Sequence, residues 1–256
     1  MNETLSVLNN RMSLRRYKDK PISEEHLEQI LYSTMRAPTA GNMMLYSVLV
    51  IKDKEKIKRL SSTCDNQAFI AKAPLVLIFL ADMQRWTDYL HHCDIEDFCK
   101  EKEMEYNGPN NADLFLSISD TMIAAQNAVI AGESLGVGSC YIGDIMENYE
   151  THKVMFNLPD KVFPIGMLCL GYYPEKLKKT LIPRFNKEYI VFDEKYKRLS
   201  SEEFDDMFKH LNENLNPNNS FGARNIGQLM YSRKFGAPFF KEMERSVKVI
   251  MEHWNK

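Results

Sequence analysis

From Leu114 to Asp144 the chain reads LFLSISDTMIAAQNAVIAGESLGVGSCYIGD, and this stretch constrains the fold more than any other. From Ser119 to Leu135 it is rich in Ala, Ile, Val, Met and Leu on nearly every side. A helix on the surface of a globular protein shows one apolar stripe, whereas a helix apolar all round belongs in a core. With Gln126, Asn127, Glu133 and Ser134 included, the segment falls short of the roughly 20 clean apolar residues of a membrane span. Gly136 stands where a left-handed cap would end the helix. Gly138 to Tyr141 then reads as a strand, followed by Ile142, Gly143 and Asp144. A buried helix leading directly into a glycine-containing strand end is a way to set backbone amides against a ligand.

At 256 residues the chain has ample material for one large domain or two small ones. Its 33 Lys and Arg against 35 Asp and Glu leave a net charge of −2, which gives no basic footprint for nucleic acid. Five cysteines (Cys64, Cys93, Cys99, Cys140, Cys169) contain no CxxC pair and fit a reducing compartment better than a disulfide framework. The opening residues lack the n-region and apolar h-region of a signal peptide. A cytoplasmic globular protein is the expectation.

Along the chain, Glu3 to Asn9 reads as a short helix. In the segment that follows, Arg11, Ser13 and Arg15 alternate with Met12, Leu14 and Arg16. If it is extended, the first three line one face. Two guanidinium groups flanking a hydroxyl suit a phosphate, because Arg forms bidentate charge-assisted bonds to its oxygens; a solvated basic turn is the alternative. Ser23 is a natural N-cap for a helix carrying Leu27, Ile30, Leu31 and Met35, which must stop near Ala37 because Pro38 follows. The loop Pro38 to Asn42 either admits a flat ligand close to its backbone or is a plain connector. Ser47–Ile51, Leu75–Ala81 and Val162–Gly171 read as buried strands, since their apolar runs are continuous rather than alternating. Lys54–Thr63 reads as a surface helix, and Cys64 to Gln67 as a polar turn. There Gln67 has both donor and acceptor to offer a heterocycle, or else serves as a cap. Met83 to Glu105 is helical. His92 and Cys99, seven apart, would share a face of it, but nothing completes a set of four metal ligands. Tyr149–Phe156 is helical, and Tyr172–Lys187 is a basic loop in which Pro183 fixes the backbone before Arg184. A helix begins near Ser201. From Pro238 a stripe of Phe239, Met243, Val247, Ile250, Met251 and Trp254 requires burial.

Seven of these stretches together resemble the FMN-dependent nitroreductase family, in particular its NADPH-type oxygen-insensitive nitroreductases and flavin reductases. They are RMSLRRY at 11–17, PISEEHLEQIL at 21–31, APTAGN at 37–42, NQAFIAKAP at 66–74, AAQNAVIAGESLGVGSCYIGDI at 124–145, LPDKVFPIGMLCLGYYPE at 158–175 and PRFNKEYIVF at 183–192. Each is weak alone, but their order and spacing agree over roughly residues 5–195.

The resemblance implies an α+β fold: a three-layer sandwich with a central, mostly antiparallel sheet flanked by helices, dimeric, with flavin at the dimer interface. The whole of 1–256 would be one FMN-binding domain, with a core at 1–195 and a helical C-terminal extension at 196–256. Arg11, Met12, Ser13 and Arg15 would meet the flavin's phosphate and pyrimidine end. Thr39, Ala40, Gly41 and Asn42 would reach in from the partner subunit, and Gln67 would bond the ring edge. Tyr141, Ile142, Gly143 and Asp144 would run beside the ring with a backbone N–H aimed at N5, and Arg184 would clamp the phosphate. The implied activity is ping-pong hydride transfer through flavin N5 from NADPH or NADH to a nitroaromatic, a quinone or free flavin. No side-chain nucleophile or catalytic residue is required. Met12 stands where a second basic residue is common, and Asp144 where Gly is common, which puts a carboxylate near the ring. Arg224 and Arg233 are candidates for a nicotinamide 2′-phosphate. A reductive dehalogenase or dehydrogenase on the same fold, and a non-catalytic flavin carrier or sensor, are the alternatives.

Overall fold

Leu75–Asp82, the strand β2 below, is buried at every residue, which is what an apolar run without alternation requires when helices cover both faces of a sheet. The computed structural model describes residues 2–254. Its elements in order are α1 (Glu3–Asn10), α2 (Glu24–Met35), β1 (Tyr46–Ile51), α3 (Lys54–Thr63), β2 (Leu75–Asp82), α4 (Gln84–His92), α5 (Ile95–Glu101) and α6 (Asn111–Ser134). There follow β3 (Val137–Ile142), α7 (Tyr149–Phe156), β4 (Val162–Tyr172), α8 (Ser201–Glu213), α9 (Ile226–Met230) and α10 (Pro238–Trp254). The sheet order is β1-β2-β4-β3, and every neighbouring pair is antiparallel.

Successive β2 side chains go to opposite faces, and each face has its own core. Val76, Ile78 and Leu80 pack with Ile57 and Leu60 of α3 and with Cys140, Ile142 and Cys169. Leu75, Leu77 and Phe79 pack with Ala125, Ala128 and Val129 of α6 and with Leu27 and Ile30 of α2. The result is the helix–sheet–helix sandwich of the α+β class. Pro164, which has no N–H for a central ladder, sits where the β2–β4 register shifts at a bulge between Phe79 and Leu80.

Helix α6 starts earlier than expected, at Asn111, behind a capping box formed by Asn110 and Asp113. It stops at Gly136, whose φ of +72° is the left-handed cap read from sequence. Its apolar surface divides in two. Leu114, Ser117, Thr121, Ala124, Ala128 and Val129 belong to the buried stripe, whereas Phe115 (69% exposed), Leu116, Met122 and Ile123 face outward in the single chain. By length and composition alone α6 is long and apolar enough to cross a membrane, a test that a core helix also passes; 44% of its most apolar 18-residue window is buried in this fold. Strand β1 also departs from expectation. It is an edge strand with only its two terminal residues buried, because no strand among the described residues pairs beyond it. The Met83–Glu105 helix is two helices broken at Cys93 and a left-handed Asp94, which removes the shared face expected of His92 and Cys99. Among the described residues no three His, Cys, Asp or Glu side chains are grouped to hold a metal.

The chain divides into two compact units, one of residues up to Lys179 together with those from Glu242 on, the other Thr180–Lys241. Residues from Glu242 on pack with the first unit. Ser246, Ile250 and Trp254 of α10 are buried, the last two in a cluster with Leu45, Leu114, Tyr149 and Phe163. Within the second unit, Ser200 and Glu203 cap α8 reciprocally, and Phe185 meets Phe208 edge-on at 5.1 Å. Asn212 of α8 accepts the Ile226 N–H at 2.8 Å, fixing the start of α9.

Candidate functional site

The segment after α1 is extended and lies beside the outer edge of β3. Ser13 forms a parallel bridge with Ser139, and the Leu14 N–H donates to the Ser139 carbonyl at 2.8 Å. Leu14 is buried (1% exposed) between the exposed Ser13 and Arg15, while Arg16, expected on the Leu14 face, is exposed as well. Close approach requires Gly138: a Cβ there would lie 2.7 Å from Leu14 Cδ2 and 2.7 Å from Tyr173 Cζ. Tyr173 donates to Glu133 at 2.6 Å, and its hydroxyl also lies against the Met12 backbone. Met12 thus contributes packing and backbone to this edge and no cation.

Neither Arg11 nor Arg15 has a carboxylate partner among the described residues, unlike Arg85 with Asp82 or Arg245 with Glu150 and Glu242. The Arg11 Nε and, next to Ser13 on β3, the Ser139 Oγ are buried polar atoms without a hydrogen-bond partner among the described residues. Buried donors are rarely left unpaired unless a bound group satisfies them. Arg15, Ser13 and Arg11 all act on the Cys140 thiol, which places them together over the middle of β3. Burial raises that thiol, and the three polar neighbours oppose the rise. Burial likewise pushes Tyr141 up to about 12 against the opposing Arg11 charge. Two guanidinium groups without carboxylate partners, one of them with an orphaned Nε–H, and a hydroxyl are a donor set that fits a phosphate.

Arg15 also reaches the next part of the site, since its guanidinium carbon lies 5.8 Å from the centre of the Phe69 ring. Just before Phe69 the turn Cys64–Gln67 is held by two left-handed residues, Asp65 and Asn66. Ser61 Oγ and the Ile70 N–H both donate to the Gln67 carbonyl, at 2.9 and 3.0 Å. The Gln67 side-chain amide donates to Asp144 Oδ2 at 2.7 Å and to the Cys64 carbonyl at 3.2 Å. Sequence gave Gln67 both a donor and an acceptor role towards a ligand; with both N–H bonds engaged here, only its oxygen is left. Asp144, expected as a carboxylate beside a ligand ring, is the acceptor of that Gln67 bond. Strand β3 ends at Ile142; Gly143 leads into a 3-10 turn at Asp144–Met146, and a Cβ on Gly143 would meet nothing within 4 Å. The surface in front of Gly143 is open.

Two buried ionisable groups border this region. Glu147 is 4% exposed, and its Oε1 has no partner among the described residues. Burial, with Asp144, Asp65 and Glu242 nearby, raises its carboxyl to about 8. His152 is fully buried between the Ile145 carbonyl at 2.9 Å and Thr63 Oγ1 at 2.8 Å, and burial lowers it to about 4. The carbonyl requires Nδ1 to carry the proton of the neutral ring.

The loop Thr39–Asn42 is also a built feature. Gly41 and Asn42 are left-handed, at φ +55° and +56°, and residues 40–42 form a 3-10 turn. Asp120 of α6, 3% exposed, accepts the Ala40 N–H at 3.0 Å and the Leu45 N–H at 3.3 Å. Ser117 Oγ donates to the Leu45 carbonyl at 2.6 Å. Sequence reasoning missed Asp120, although a lone carboxylate inside an apolar helix was the available signal. Arg184 lies in the second unit, exposed, where it lines a cavity of about 580 Å³ with Phe185, Tyr189, Asp206 and His210. Arg224 and Arg233 are exposed in the same unit.

A helix–sheet–helix sandwich whose N-terminal arm brings unpaired arginines to the edge of β3 defines a class, and comparison with known proteins agrees. The Nitroreductase family model matches residues 8–172, and this chain belongs to that family. It is similar to a protein of Bacillus subtilis named FMN reductase [NAD(P)H], at 33% identity over 196 residues, covering 77% of this chain and 75% of that one. The oxygen-insensitive NADPH nitroreductase of Salmonella typhimurium is 29% identical, covering 78% and 77% of the two chains. Among solved structures, B. megaterium NfrA2 superposes with a TM-score of 0.76 at 26% identity, over 96% of this chain and 98% of that one.

Proposed function

We propose that this chain is an FMN-dependent NAD(P)H oxidoreductase that reduces small flat acceptors such as nitroaromatics, quinones or free flavin. The observation that carries the reading is the pair Arg11 and Arg15, without carboxylate partners among the described residues, flanking Ser13, with the Arg11 Nε buried and without a hydrogen-bond partner among the described residues. In this reading Arg11, Ser13 and Arg15 hold the FMN phosphate, each charged hydrogen bond contributing about 1.5 to 3 kcal/mol. Gln67 meets the pyrimidine edge of the ring, and Tyr141, Ile142, Gly143 and the backbone of Asp144 border its length. Bound flavin supplies the redox chemistry, taking a hydride from the nicotinamide and passing electrons to the acceptor. The open surface at Gly143 leaves a stacking face accessible, and no side chain of the site is needed as a nucleophile or acid.

Homodimer formation belongs to the same proposal. The outward apolar stripe Phe115, Leu116, Met122 and Ile123 calls for a cover, as do Leu5 and Leu8 on α1. A second copy would supply it and would bring Thr39, Ala40, Gly41 and Asn42 to the neighbouring flavin. Arg184, in the second unit, is a further candidate for a phosphate in this reading. A cytoplasmic setting accords with five free cysteines, four of them buried.

The test is the visible spectrum of purified protein incubated with FMN and desalted. A retained, perturbed flavin spectrum that bleaches anaerobically with NADPH, and is lost in an Arg11→Ala, Arg15→Ala double variant, is the expected result. Retained flavin that NADPH does not bleach would favour a carrier or sensor, and a colourless folded protein would overturn the phosphate assignment.

A further inference from the structure

The carboxamide of Gln67 has two N–H donors and one carbonyl acceptor, and the chain has already used both donors. One goes to Asp144 Oδ2 at 2.7 Å, across 77 residues of sequence, and the other to the Cys64 carbonyl at 3.2 Å. The assignment of nitrogen and oxygen is forced, because the Cys64 carbonyl only accepts, so the amide group facing it must be the NH₂. Rotating the amide by half a turn would set its oxygen against two oxygens. No described group donates to the Gln67 Oε1. The turn that carries Gln67 is rigid, with its backbone carbonyl accepting from Ser61 and Ile70. A hydrogen bond to a carboxylate also polarises the amide, which makes the far oxygen a better acceptor.

We infer that Asp144 is a positioning residue that locks Gln67 with its carbonyl oxygen outward, so that the site selects a heterocycle presenting a ring N–H at that edge and rejects one presenting only acceptors. The inference rests on the flavin reading, in which the imide N–H of the pyrimidine ring is the one donor on that edge. It also changes what Asp144 does. The carboxylate is engaged one step behind the ligand and acts through Gln67 rather than meeting the ring itself.

The experiment measures binding of FMN and of FMN methylated at the imide nitrogen to the flavin-free full-length protein, by quenching of flavin fluorescence. The wild type is expected to bind FMN at least tenfold tighter than the methylated analogue. Asp144→Ala frees the amide to turn its N–H outward, so its preference should fall to threefold or less while FMN is still bound through Arg11, Ser13 and Arg15. Asp144→Asn, whose side-chain oxygen can still accept from Gln67, should restore most of the preference, which a loss of packing alone would not allow. Equal binding of both flavins by the wild type, or an undiminished preference in Asp144→Ala, overturns the inference while leaving the flavin reading intact. If the wild type binds neither flavin, the flavin reading fails, and the inference with it.

Discussion

Removing the Asp120 carboxylate tests whether the Thr39–Asn42 loop is held from inside the molecule. In Asp120→Ala the Ala40 and Leu45 N–H groups lose their acceptor at a site only 3% exposed. Hydrogen bonds to a charged group contribute about 1.5 to 3 kcal/mol each. The bond to Leu45, at 3.3 Å, belongs at the lower end, so the pair amounts to roughly 3 to 5 kcal/mol. Against this, the variant no longer has a buried carboxylate to desolvate, which returns about 1 to 2 kcal/mol by the same reasoning that makes buried charges poor stabilisers. The net expectation is a loss of about 1 to 4 kcal/mol in urea unfolding with an unchanged slope. Asp120→Asn should recover little, because one of the two N–H donors would then face an amide NH₂. Flavin retention should fall further than stability does, since the freed loop is the one proposed to reach the partner's cofactor. A loss under 1 kcal/mol in Asp120→Ala would refute the reasoning, and undiminished flavin retention would return the loop to the status of a connector.

Three further outcomes are expected. Glu147 is raised from its ordinary 4.5 to about 8, so the folded state holds a proton there that the unfolded chain releases; between those values stability should fall by up to about 1.4 kcal/mol per pH unit. Glu147→Gln should therefore flatten that decline, raising the melting temperature at pH 8.5 and leaving it nearly unchanged at pH 4.5; an equal shift at both would exclude titration as the cause. Gly138→Ala sets a methyl 2.7 Å from Leu14 and Tyr173, and should cost about 1 to 3 kcal/mol as overpacking while displacing the Arg11–Arg15 arm. Its check is a melting scan paired with FMN titration, and wild-type values in both would show that the arm is not held by that contact. Phe115→Glu combined with Met122→Lys places charges on the outward stripe of α6; sedimentation should show the assembly shift to monomer with the helical spectrum retained, and an unchanged dimer would place the interface elsewhere.

What was legible in the sequence is what neighbouring residues decide among themselves. The Gly136 stop, the Ser23 cap, the α3 span and the β2 and β4 runs depend on spacing within a dozen residues, and all are present. The alternation of Arg11, Ser13 and Arg15 was legible for the same reason, because an extended backbone fixes which side chains share a face. Contacts made over long separations were not. Asp120 meets Ala40 across 80 residues and Asp144 meets Gln67 across 77, and nothing local marks either pair. Helix α6 shows how one pattern can serve two partners. Its apolar circumference was read as a sign of complete burial, yet one stripe faces the sheet and the other faces out. Composition reports that a face must be covered and is silent on which molecule covers it. For a chain whose ligand is proposed to lie between two copies, the outward half of α6 and the Thr39–Asn42 loop are parts of a site that one copy leaves open. The phosphate arm, by contrast, is finished within the single fold, so binding at that end should survive in a monomer while binding of the ring, which also needs the partner's loop, should not. A monomeric Phe115→Glu, Met122→Lys protein that still competes for inorganic phosphate or a ribose phosphate but no longer perturbs the flavin spectrum would separate the two halves in that way.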